Sequence, residues 1–147
     1  MTFDGEWTLE NSDGSLAGGA PIYVYGEDGN DIIQGAENET QHNCCIYAYL
    51  GDGDDKLYGF DNVQGPLTAV GGNGNDKLDM GRNHPAVVYA YGGEGDDIIY
   101  GPEDSSASIF LHGDKDFVVG VGATFGLRGN DRIYGGNNSG NYGDNYQ

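Results

Sequence analysis

Six short acidic turns carry the chemistry open to this chain. Gly26-Glu27-Asp28-Gly29-Asn30-Asp31 is followed by Gly51-Asp52-Gly53-Asp54-Asp55, then by Gly71-Gly72-Asn73-Gly74-Asn75-Asp76 and Gly92-Gly93-Glu94-Gly95-Asp96-Asp97. Two looser relatives are Gly113-Asp114-Lys115-Asp116 and Gly129-Asn130-Asp131. Glycines such as Gly29, Gly53, Gly74 and Gly95 stand where the backbone must bend sharply or take positive φ. Such a turn aims several carbonyl oxygens into one concavity, and the closing aspartate adds a carboxylate. An all-oxygen set in an adaptable turn selects Ca²⁺ over Zn²⁺ or Cu²⁺. The candidate ligands are Asp31, Asp55, Asp76, Asp97, Asp116 and Asp131, with Gly29, Gly53, Gly74, Gly95, Asp114 and Gly129 shaping the turns.

The elements that must position these turns follow from their spacing. The six aspartates are separated by 24, 21, 21, 19 and 15 residues. A period near 20 predicts a stacked, one-dimensional solenoid. Two residues after each aspartate stands an aliphatic: Ile33, Leu57, Leu78, Ile99, Val118, Ile133. That is a buried ladder with strand periodicity. A second strand precedes each of the first four turns: Ile22–Tyr25, Ile46–Tyr49, Leu67–Val70, Val88–Tyr91. Alternation puts Ile22/Val24, Ile46/Ala48, Leu67/Ala69 and Val88/Ala90 on one face. The other face carries Tyr23/Tyr25, Tyr47/Tyr49, Thr68/Val70 and Tyr89/Tyr91. The expected fold is all-β: a parallel β-roll, or flattened β-solenoid, with about 20 residues and two short strands per coil. Acidic turns line one side; the other carries irregular loops of variable length.

Stacking would set the aspartates over one another about 4.8 Å apart. Two carboxylates at that distance repel by roughly 1 kcal/mol in water, and by several times more when partly buried. The 147 residues include 24 Asp plus Glu against 6 Lys plus Arg, a net charge of -18. A single column of about four or five Ca²⁺ would offset about 8 to 10 of those charges, so binding and folding should be coupled. The same charge excludes nucleic acid as a partner and disfavours anionic membranes and polyanionic sugars. No run approaches a membrane span. Disorder is also excluded, because 37% of the residues are hydrophobic and 11 are Tyr.

The turns resemble the RTX, or haemolysin-type calcium-binding, nonapeptide family, Gly-Gly-x-Gly-x-Asp-x-aliphatic-x. Gly71 to Asp79 and Gly92 to Tyr100 match every fixed position, Leu50 takes the first Gly place of the second repeat, and Glu27 the second Gly place of the first. The resemblance spans about residues 22–135. It implies a calcium-loaded roll in a secreted or cell-surface protein, with the matching aspartates as carboxylate ligands. In that family nonapeptides usually follow one another directly, so both sides of the roll carry calcium turns. Here one side does, and one ion column is expected.

Outside 22–135, residues 1–21 read as an N-terminal cap or edge segment and residues 136–147 as a Gly/Asn/Tyr-rich tail. The opening Met1–Trp7 stretch lacks the basic and apolar regions of a signal peptide, which leaves a mature segment or another export route. There is no His-Glu-x-x-His motif and no Gly-x-Ser-x-Gly elbow. His42, His84 and His112 each stand alone, so no enzyme is expected. Adjacent Cys44 and Cys45 would strain a mutual disulfide and read as reduced or intermolecularly paired thiols. Asn38 and Asn137 sit in glycosylation sequons. The tyrosine face, Tyr23, Tyr25, Tyr47, Tyr49, Tyr89 and Tyr91, suits cross-coil stacking or contact with a partner. These features predict an extracellular calcium-binding structural module that folds on Ca²⁺ and self-assembles into filaments or coats, or adheres to another surface protein. The alternative is a carbohydrate- or partner-binding module detached from a secreted enzyme or adhesin.

Overall fold

Strand alternation and acidic turns build the molecule coil by coil. The computed structural model describes residues 6–9, 21–35, 45–59, 63–82, 87–102, 107–111, 117–120, 122–126, 132–135 and 141–142, with side chains described within 21–102 and at Phe117. The strands are β1 (Glu6–Leu9), β2 (Ile22–Asp28), β3 (Ile32–Gly35), β4 (Ile46–Asp52), β5 (Lys56–Tyr58), β6 (Leu67–Asn73) and β7 (Lys77–Asp79). They continue as β8 (Val88–Glu94), β9 (Ile98–Tyr100), β10 (Ala107–Leu111), β11 (Phe117–Gly120), β12 (Gly122–Gly126), β13 (Arg132–Gly135) and β14 (Asn141–Tyr142).

Odd-numbered strands form one seven-stranded sheet and even-numbered strands another. Every pairing between neighbours is parallel. The chain crosses from one sheet to the other at each turn, so it returns to the same sheet in the same direction one coil later. This is a β-solenoid. No helix among the described residues is long and apolar enough to cross a membrane.

Register follows the apolar pattern. Trp7, Ile33, Leu57, Leu78, Ile99, Val118 and Ile133 are successive partners across the odd sheet. In the even sheet Val24 pairs with Ala48, Ala48 with Ala69 and Ala69 with Ala90. Of these positions, Val24, Ile33, Ala48, Leu57, Ala69, Leu78, Ala90 and Ile99 are fully buried in one continuous core with Ile46, Leu50, Leu67 and Val88. Alanine at the middle rung keeps the two sheets close. Val63 and Met80, on the irregular side of the coil, are also fully buried, a contribution the strand alternation does not reveal.

β1 and β14 lie beyond the segment that carries the aspartate turns. β1 extends the odd sheet by pairing with β3, and β14 extends the even sheet beside β12. Side chains facing away from the core form columns of their own. The tyrosines point outward, with Tyr23 at 47% and Tyr91 at 37% exposure. Tyr23 stacks on Tyr47 with centroids 5.0 Å apart, and Tyr25 on Tyr49 at 5.4 Å. Across the odd sheet, the Lys77 ammonium lies over the rings of Tyr58 and Tyr100, at 5.5 and 5.6 Å from their centroids. That cation–π bridge ties three consecutive coils together.

Among the described residues, Glu27 is the strained one in the acidic turns. Glu27 has φ 85°, at the position where Gly51, Gly72 and Gly93 take φ 113°, 130° and 116° in the following coils. A Cβ at any of those three glycines would collide with a carbonyl of the coil before. Glu27 therefore carries the steric cost of positive φ that the glycines avoid. Glu27→Gly is expected to stabilise the folded chain by about 1 kcal/mol, read as a higher denaturation midpoint. A lower midpoint would mean that the exposed glutamate makes a contact worth more than the strain.

Candidate metal centre

Asp31, Asp55, Asp76 and Asp97 enter the odd-sheet strands with 0–1% of their surface exposed. A buried carboxylate needs hydrogen bonds, and the stack supplies one to each of three successive coils. The Asp31 N–H donates to Asp55 Oδ1 at 2.8 Å, Asp55 N–H to Asp76 Oδ1 at 2.9 Å, and Asp76 N–H to Asp97 Oδ1 at 2.9 Å. The aspartate carbonyls are used as well. Asp31 O accepts from Lys56 N–H, Asp55 O from Lys77, Asp76 O from Ile98 and Asp97 O from Phe117. Each aspartate is thus held by the backbone of neighbouring coils. The second oxygens are not: Oδ2 of Asp55 and of Asp76 is buried with no hydrogen-bond donor.

Around this inner ladder runs an outer one. The residue before each aspartate is Asn30, Asp54, Asn75 and Asp96 in turn, an alternation of amide and acid. Asn30 Oδ1 accepts from Asp54 N–H, Asp54 Oδ1 from Asn75 N–H, and Asn75 Oδ1 from Asp96 N–H, each at 2.9 Å. Asn75 Nδ2 also reaches Asp54 Oδ1 at 3.3 Å, and Asn73 Nδ2 donates to Asp52 Oδ1 at 2.7 Å. The inner ladder points its carboxylates back toward the preceding coil; the outer ladder points forward to the next. Between the two, Gly29, Gly53, Gly74 and Gly95 take φ of 128–145°. Gly29, Gly53 and Gly74 donate to the carbonyls of Asp52, Asn73 and Glu94 at 2.8 Å.

Electrostatics makes the inner ladder costly. Burial is the main cause raising Asp76 from the ordinary carboxylate range to about 7; the hydrogen bond from Asp55 N–H opposes it, and the Asp97 and Asp55 charges add to it. Asp55 is raised for the same first reason, with Asp31, Asp54 and Asp52 adding repulsion. A cation would remove both penalties. Among the described residues no three His, Cys, Asp or Glu side chains converge. A cation here would therefore take backbone carbonyls along with its carboxylate. Buried carboxylate oxygens without donors, beside glycine turns rich in carbonyls, are an oxygen-only set that fits Ca²⁺ and not a soft metal.

A family model of the RTX calcium-binding nonapeptide repeat matches the chain in four copies, over residues 23–38, 89–101 and 125–139. The chain carries RTX calcium-binding repeats. No curated protein and no solved structure matches it. The first two RTX matches span the turns that close on Asp31 and Asp97, two of the four buried aspartates. Of the residues singled out in the RTX-like turns, Gly29, Gly53, Gly74 and Gly95 take the positive φ proposed for them. Asp114, Asp116, Gly129 and Asp131 lie outside the described residues, as do Cys44, Asn38, Asn137 and the three histidines. Cys45 is half-buried, and its carbonyl accepts from Ile22 N–H. Sequence reasoning missed the outer ladder. Its signal was present, because the variable positions of the four acidic turns hold only Asp, Asn and Glu apart from the repeated aspartate.

The direction of the Asp76 shift fixes a pH dependence. Its folded pKa of about 7 lies above the unfolded one, so its contribution to metal-free stability is full below about pH 4 and is lost as pH rises through about 7. The calcium-free chain should gain β-structure and resist denaturant better at pH 5 than at pH 8. Asp76→Asn should flatten that profile and raise the Ca²⁺ concentration needed for folding. Equal stability of the metal-free parent at the two pH values would remove the buried-carboxylate account.

Proposed function

We propose that this RTX chain is an extracellular structural module whose folding is switched on by Ca²⁺. The observation that carries the reading is the buried, donor-free Oδ2 of Asp55 and Asp76. Asp31, Asp55, Asp76 and Asp97 would supply one carboxylate each, with carbonyls of the glycine turns completing the shell. Bound Ca²⁺ would supply the positive charge that the stacked carboxylates lack. The residues of the chain do the rest: they hold the oxygens in register and exclude water from them. Where Ca²⁺ is scarce, repulsion in the column opposes folding; at the millimolar levels typical of extracellular modules it is relieved. RTX repeats are typical of secreted proteins, which supports an extracellular site of action.

Self-assembly or adhesion is the role we assign to the folded roll, and a non-catalytic one. Its support is the outward tyrosine strip, with Tyr23, Tyr25, Tyr49, Tyr89 and Tyr91 all at 37% exposure or more, beside a strongly acidic edge. The same strip favours one alternative, a neutral carbohydrate stacked on the rings. A polyanionic sugar is disfavoured by the net charge of -18.

Far-UV circular dichroism during a Ca²⁺ titration, with Mg²⁺ as control, tests the switch. A coil-to-β transition specific to Ca²⁺ is expected; a spectrum already β in chelator and unmoved by Ca²⁺ would leave the turns as plain turns. Sedimentation of the calcium-loaded chain tests the role. Concentration-dependent assembly is expected, whereas a monomer that binds neutral glycans on an array would favour the alternative.

A further inference from the structure

Strand register sets charges side by side as well as core residues. Among the register partners of the described strands, two pairs carry like charge: Asp28 beside Asp52, and Lys56 beside Lys77. Like charges directly opposite one another destabilise a sheet. The buried aspartates repel too, but a cation would relieve them. These two pairs belong to no metal site. Asp28, Asp52 and Lys56 are exposed and Lys77 is half-buried. Among the described residues no ion pair reaches Asp28, Lys56 or Lys77. Lys77 is held by the rings of Tyr58 and Tyr100 instead, which leaves its charge intact. In a chain with 24 Asp plus Glu and only 6 Lys plus Arg, two lysines thus stand together without a carboxylate.

The two pairs lie on different surfaces. Lys56 and Lys77 open β5 and β7 on the outward face of the odd sheet, whereas Asp28 and Asp52 close β2 and β4 at the rim of the acidic turns. Each pair spans one coil, so strand spacing sets both backbone separations at about 4.8 Å. A pair on one copy can therefore meet the opposite pair on another, two charges on two. Resting on the self-assembly reading above, we infer that the Lys56–Lys77 pair docks on the Asp28–Asp52 pair of a second copy of this chain. Each contact relieves two like-charge repulsions and forms two ion pairs. The docking surfaces differ, so the contact is heterologous. A copy whose lysine pair is filled still offers its aspartate pair, and copies add one after another unless the rotation closes a ring. The contact does not use the tyrosine strip, which lies on the even sheet.

Sedimentation of the full chain in saturating Ca²⁺, with folding checked by circular dichroism, tests the docking through a charge swap. Lys56→Glu/Lys77→Glu and Asp28→Lys/Asp52→Lys, each alone, are expected to raise the concentration needed for assembly at least about tenfold. Mixed in equal amounts they are expected to assemble again, because the acidic pair created on one copy meets the basic pair created on the other. A variant that is merely destabilised does not regain assembly on mixing. Assembly of the parent is expected to weaken at least about tenfold between about 0.05 and about 0.5 M NaCl at fixed Ca²⁺. If a double variant does not fold, Lys56→Gln, which leaves the Lys77 cation–π bridge in place, is expected to weaken assembly about threefold. Folded swaps that assemble like the parent, or that fail to rescue each other, would overturn the docking and leave the self-assembly reading standing, as would parental assembly indifferent to salt. A calcium-loaded parent that stays monomeric would remove both.

Discussion

One buried carboxylate per coil is the constraint on which the rest of the acidic edge depends. An aspartate at a strand entrance normally keeps both oxygens in water. Here Asp55, Asp76 and Asp97 each trade one oxygen for a backbone N–H of the coil before. That exchange fixes the vertical alignment of the turns, because a slip of one residue would leave both donor and carboxylate buried and unmatched. It also leaves the other oxygen of Asp55 and of Asp76 buried without a donor. The stack holds its register through groups that repel one another, and the surplus negative charge is the cost of that arrangement.

The core compensates from the inside. Ile33, Leu57, Leu78 and Ile99 form an apolar rung directly after the aspartates. Each such side chain contributes about 1.5–3 kcal/mol by leaving water. Because neighbouring coils meet almost only through matched rungs, the gain and the repulsion scale together with the number of coils. Neither dominates by adding length. A stack of this type is therefore poised near balance, and a modest change in cation supply moves it.

Much of this was legible in the sequence because its periodicities coincide with physical ones. The Ile-Tyr-Val-Tyr and Ile-Tyr-Ala-Tyr strings place aliphatics in and rings out, and the outward position of Tyr23, Tyr25, Tyr49, Tyr89 and Tyr91 follows from strand pleating alone. The aliphatic two residues after each aspartate gave the odd sheet in full register. Other features depend on which atoms face each other between coils, and no local pattern encodes that. Which carboxylate oxygen takes the backbone hydrogen bond, and that the outer ladder runs opposite to the inner one, emerge only on stacking. Val63 and Met80 fill the core from loops with no shared pattern. Glu27 breaks the glycine rule at a position whose backbone is set by the coil around it.

The outer ladder has a period of its own. Asn30, Asp54, Asn75 and Asp96 alternate, so Asp54 lies between two amides and Asp96 beside one, and the pattern repeats only every second coil. The strands and buried aspartates repeat every coil. A gene duplication that added a single coil would place two carboxylates or two amides side by side on the rim, while one that added two would preserve the alternation. The rim of these four coils thus favours lengthening in steps of two.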